Sequence, residues 1–117
     1  MFINLTNHPS YNWNKKQKLA ADKYGQINDL PFPEVMPNLG HQEIQLIADK
    51  YAQKIYEMAN NATVTVHVMG EMTFTYALVS RLKAEGITCV ASTTERIVTE
   101  KDGVKTSEFR FVRFREY

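Results

Sequence analysis

Between His41 and Gly70 the hydrophobic period of the chain changes once, and that change limits the possible folds more than any other feature. Ile44, Ile47, Ala48, Tyr51, Ile55 and Met58 fall at i, i+3, i+4, i+7, i+11 and i+14, one apolar stripe on a helix over 41–59. Asn60-Asn61 ends it. In "ATVTVHVMG", Val64, Val66 and Val68 then alternate with Thr63, Thr65 and His67. Residues that suit a strand lie on both of its faces, as in the interior of a sheet. A second helix is predicted over 73–85, with Ala77, Leu78, Val79 and Leu82 inward and Gly86 as its C′ glycine.

The rest of the chain repeats this rhythm. "FINLT" reads as a short strand that Pro9 stops. Trp13, Gln17, Ala20, Ala21 and Tyr24 predict a helix over 12–24, with Asn12 as N-cap and Gly25 as C′ residue. "QINDLPFPEV" predicts a short strand at a sheet edge, followed by loop over 34–40. "ITCVAST" is a fourth strand. The remainder predicts a hairpin turning at Lys101-Asp102-Gly103. Alternating strands and helices imply a mainly parallel sheet with helices on both faces. The expected fold is α/β and Rossmann-like, one domain over 1–117 with a C-terminal β-hairpin.

Composition narrows the functional classes. The net charge of +1 argues against a dedicated binder of duplex DNA, which needs a basic surface. Cys89 is the only cysteine, so no intrachain disulfide or Cys-based zinc site is expected. Its apolar neighbours mark it as an inert buried thiol. No run approaches the ~20 apolar residues of a membrane helix. The opening "MFINLTNHPS" has neither a basic n-region nor a long apolar core, so no secretory leader is expected. The cytoplasm is the expected location.

In a Rossmann-like sheet, ligands bind at the carboxyl ends of the strands. That rule selects "NHPS", "PFPE", "GEMTFT" and "STTER". In "GEMTFT", Gly70 leaves room for a ligand beside the backbone. The helix that follows offers unpartnered N–H groups to an anion, and Thr73 and Thr75 add hydroxyls. The plainer reading is a turn with Thr73 as N-cap and Glu71 favoured by the helix dipole. In "STTER", the hydroxyls of Ser92, Thr93 and Thr94 with Arg96 suit phosphate or ribose contacts, and the plainer reading is a solvated turn with a surface ion pair. His8 is a candidate acid or base, or a simple turn residue. His8, His41 and His67 show no metal-ligand spacing, so neither metal nor cofactor is predicted, and His67 is read as structural. The tail "FRFVRFREY" alternates aromatic and basic residues until Val112, where a bulge would restore register. Without one, Phe109, Phe111, Arg113 and Arg115 would share a face. Such a tail suits base stacking, a partly buried edge strand or a subunit interface.

Taken together, "INLTNHPS", "DLPFP", "HVMGEMTFTYALV", "CVASTTER" and "FRFVRFREY" resemble small stand-alone CRISPR-associated Rossmann-fold (CARF-like) proteins of ring-nuclease type. The resemblance implies a homodimer that binds a cyclic oligoadenylate second messenger at the strand ends. It further implies metal-independent cleavage of the ring by a ribose 2′-hydroxyl, which switches off antiviral signalling. By position, Asn7, His8 and Ser10 match the first ligand loop. Gly70, Glu71, Thr73 and Thr75 match the loop under the phosphates, and Ser92, Thr93 and Arg96 match the fourth strand end. His8 and Arg96 would carry acid–base work and charge stabilisation. Glu71 departs from the pattern, because a carboxylate repels a polyanion. Two other readings stand beside this one. The first is a nucleotide hydrolase or transferase with Glu71 as base or nucleophile. The second is a non-catalytic regulatory module with the aromatic tail as its interface.

Overall fold

The computed structural model describes residues 1–117. Strands β1 (Phe2–Thr6), β2 (Ile27–Asp29), β3 (Thr65–Met69), β4 (Thr88–Lys101) and β5 (Val104–Glu116) form one sheet in the order β2-β1-β3-β4-β5. The pairs β1–β2, β1–β3 and β3–β4 are parallel, and β4–β5 is antiparallel. Helices α1 (Lys15–Asp22), α2 (His41–Ala59) and α3 (Met72–Ala84) connect the strands. The Rossmann-like α/β fold with a C-terminal hairpin is therefore present.

The strand period of two assigns each side chain to a face. Ile3, Leu5, Val66, Val68 and Cys89 join Ile44, Ile55, Leu78 and Leu82 in the core beneath α2 and α3. Phe2, Val90, Phe111 and Phe114 meet Trp13 and Ala21 on the α1 side. Cys89 is buried, and that burial pushes its thiol up to about 11. No helix is long and apolar enough to cross a membrane.

Three local readings are corrected. Helix α1 begins later than residue 12, because Ser10–Asn12 forms a separate 3-10 turn. Its N-cap is Asn14, whose side chain accepts from the Gln17 N–H at 2.9 Å. Helix α3 is capped by Glu71 rather than Thr73. "STTER" is no loop, since it lies inside the long strand β4.

The hairpin matches its sequence signals. Asp102 and Gly103 both take positive φ, 54° and 77°, which suits a two-residue turn matched to strand twist. Thr93 pairs with Arg113 and Thr94 with Phe111, so Val112 is the extra residue of a β-bulge. The bulge puts Phe111 and Phe114 on one buried face. Strand β3 pairs with β4 only at Thr88–Val90. Past Thr93 the two final strands pair only with each other and project as an arm.

Candidate functional site

A groove of about 660 Å³ opens at the carboxyl ends of β1 and β3, beside the middle of β4, on the α1 side of the sheet. Its volume is within the usual range for small-ligand sites. Asn7 and His8 follow β1, Gly70 follows β3, and Ser92 and Thr94 come from β4. Phe109 and Phe111 supply an aromatic wall from β5, and Asn14 and Gln17 bring in the first turn of α1. Asn7, His8, Gly70 and Ser92 thus meet although they come from three separate segments.

The His8 backbone is held firmly. Its carbonyl accepts from the Trp13 indole N–H at 3.1 Å and from the Asn4 amide at 2.9 Å. Its N–H donates to the Thr6 hydroxyl at 3.1 Å. The loop therefore has a fixed path while the His8 side chain stays exposed. Ser10 is tied to Asp29 through both its backbone N–H and its hydroxyl, and it does not line the groove.

Arg96 lies at the rim. It follows Thr94 by two positions on the same face of β4 and stands directly opposite Phe109. Both of those neighbours line the groove. The Arg96 guanidinium donates to the Ser107 hydroxyl at 3.0 Å, an exposed contact that a ligand can displace. Thr93 faces away and exchanges hydrogen bonds with the Arg113 backbone. Ser92 contacts the Met69 sulfur at 3.1 Å through its hydroxyl.

The "GEMTFT" segment is built differently from its sequence expectation. The Glu71 carboxylate accepts from the backbone N–H groups of Phe74 and Thr73 at 2.8 and 3.0 Å. It also accepts the Thr73 hydroxyl. The Phe74 N–H, the Thr73 hydroxyl and the Thr73 N–H hold its carboxyl below the ordinary value. The anion position at the start of α3 is therefore filled by the chain's own carboxylate. A base needs the opposite shift, so Glu71 lacks the environment that a catalytic base requires. Gly70 has a packing cause, because a Cβ there would lie 2.3 Å from the Phe32 ring. Thr75 is buried in α3 and lines a different hollow beside Lys83 and Tyr117.

A larger hollow of about 820 Å³ lies between α2 and α3, lined by Leu39, Ile44, Met72 and Tyr76. Of the candidate residues it contains only Thr73, so the smaller groove is the better site. No cluster of three His, Cys, Asp or Glu side chains is placed to hold a metal ion.

Sequence reading missed the groove floor. Asn4 is 1% exposed and fully engaged: its amide donates to Asp29 at 2.8 Å and its oxygen meets His67 Nδ1 at 3.1 Å. His67 lines the groove. Burial, with a smaller push from His8, lowers it to about 4. The one available signal was an Asn in the middle of an apolar strand.

These features define a class: a Rossmann-like chain with a polar, aromatic-walled groove at the carboxyl edge of its parallel strands. Within that class, the chain belongs to the uncharacterized protein MJ1673 family, whose model matches residues 1–115. No curated protein and no solved structure matches it.

Proposed function

We propose that this chain binds a cyclic oligoadenylate at the carboxyl-edge groove, shared across a homodimer, and cleaves the ring without a metal. The observation that carries the reading is the convergence of Asn7, His8 and Ser92 with an aromatic wall whose Phe109 stands opposite Arg96. Flat apolar rings beside a guanidinium suit a base next to a phosphate. The homodimer and the choice of ligand come from the resemblance to CARF-like proteins, not from the MJ1673 family.

In this mechanism a ribose 2′-oxygen forms a bond to its adjacent phosphorus, and the bond from phosphorus to the 5′-oxygen breaks. His8 takes the 2′ proton, and solvent water gives a proton to the leaving 5′-oxygen. The products are linear strands ending in a 2′,3′-cyclic phosphate. Arg96 leaves Ser107 to meet the charge that develops on the phosphoryl oxygens. Most of the acceleration comes from holding the attacking oxygen in line.

The test is incubation with cyclic tetra- and hexa-adenylate in EDTA, read by mass spectrometry, with light scattering of the free protein. Linear cyclic-phosphate products from a dimer are expected, and His8→Ala should abolish them. Tight binding without cleavage would reduce the protein to a sensor or sponge. A monomer that neither binds nor cleaves would end the reading.

A further inference from the structure

The groove floor contains a polar atom without a partner. His67 is 2% exposed, and its Nε2 makes no hydrogen bond. Buried orphans of this kind are uncommon in folded proteins. The surrounding network fixes the character of this one. The Asp29 carboxylate and the His8 carbonyl both receive the Asn4 amide N–H groups, and neither can donate in return. The Asn4 amide therefore has one orientation, with its oxygen toward His67. His67 Nδ1, 3.1 Å from that oxygen, must carry the ring proton. Nε2 of the neutral ring is left as a bare lone pair. Nε2 is thus a fixed acceptor just beneath the groove lining, with almost no open surface of its own, and a donor N–H or O–H must settle into the floor to satisfy it.

We propose that His67 reads the base of the bound nucleotide, its Nε2 accepting a hydrogen bond from the exocyclic amine of adenine. Asn4 and Asp29 are its positioning residues. The inference rests on the nucleotide reading above and adds a specificity to it. The setting favours a base over a sugar hydroxyl. Trp13 stands edge-on to His67 with ring centroids 5.7 Å apart, and Phe111 lines the same groove. Aromatic rings beside a polar acceptor suit a base better than a sugar. A base carrying a carbonyl at that position would set lone pair against lone pair and be rejected. Cytosine, which also carries an amine, passes this contact.

The test compares three rings by calorimetry on the wild-type protein: cyclic tetra-adenylate, the same ring built on purine riboside, and its 2′-deoxy form. Purine riboside lacks the amine and adds no bulk. A loss of about ten- to hundred-fold for the purine ring is expected, with little change for the deoxy ring. Nitrogen-15 NMR of the imidazoles supplies a readout that needs no variant. It should show Nδ1 protonated in the free protein and the Nε2 resonance moving upfield when cyclic tetra-adenylate binds. Equal binding of all three rings with His67 unmoved would overturn the inference and leave the nucleotide reading intact. A loss on deoxygenation alone would assign Nε2 to the ribose and overturn the choice of base. Failure of every ring to bind would remove the nucleotide reading and this inference together.

Discussion

The two faces of the sheet are built from the same strands and do opposite work. Under α2 and α3, every inward residue of β1 and β3 is aliphatic: Ile3, Leu5, Val66 and Val68. Under α1, the alternate positions of those strands hold Phe2 and Met69 together with four buried polar residues, Asn4, Thr6, Thr65 and His67. A buried polar group costs free energy unless it is hydrogen-bonded, so the α1 face carries constraints that the apolar face does not. The groove opens on that face. The comparison teaches that the α2/α3 face is a plain apolar core while the α1 face carries a buried polar network beneath a groove.

The largest effect should come from the apolar face. Phe74 is fully buried and meets Phe32 and Tyr51 edge-on, with ring centroids at 5.1 and 5.5 Å. Phe74→Ala should cost about 3–5 kcal/mol in urea unfolding. The remaining folded molecules should still bind ligand. A groove that fails while the fold persists would mean that the two faces are not separable in this way.

Acid should act through the polar face. His67 titrates near 4 in the folded chain, against 6.5 for an unperturbed histidine. Between those values the unfolded chain binds a proton that the native chain refuses, so stability falls as pH drops from 6.5 toward 4. Above 6.5 the contribution is fully present. The size is on the order of 3 kcal/mol. Urea melts across this range, compared with those of His67→Phe, isolate it. If the variant keeps the same slope, His67 is not the group that charges.

Gly70 lies where the two faces meet. It lines the groove, yet its missing side chain makes room for Phe32, a ring packed against the α2/α3 core. Gly70→Ala should cost about 1–3 kcal/mol by overpacking, and Phe32→Leu should restore most of it. Full stability in the single variant would return Gly70 to the role of making room for a ligand.

What could be read from the sequence follows the range of each interaction. The stripe of α2, the alternation of β3, the Asp102-Gly103 turn and the Val112 bulge are local patterns, and each stands where the residues placed it. The α1 boundary slipped because Asn12 and Asn14 are equally good caps in isolation. "STTER" was misread because pairing with β5, a nonlocal partner, carries β4 through residues that also suit a turn. The floor of the site was the least legible part. Asn4 reaches Asp29 across 25 positions and His67 across 63, and no local pattern encodes that meeting. The strand-end rule still brought Asn7, His8 and Gly70 to one groove, because it depends on topology alone, and Ser92 joins them from within β4.

Glu71 gives the smallest effect and the sharpest test of what a vacant anion site looks like here. Its carboxylate satisfies the first N–H groups of α3. Glu71→Ala should cost about 1 kcal/mol, the usual loss of a cap. Its folded carboxyl titrates below 4.5, so the stabilisation is present above 4.5 and fades as pH falls through the lower folded value. Solvent screening at this surface position keeps the pH effect small. The same substitution frees two N–H groups that the native chain never offers to a ligand. If those amides belong to the fold alone, Glu71→Ala should bind inorganic phosphate more tightly than wild type and cleave cyclic tetra-adenylate no faster. Faster cleavage in the variant would mean that Glu71 masks a phosphate site, and the division between a structural α3 terminus and a functional α1 face would fail at that point.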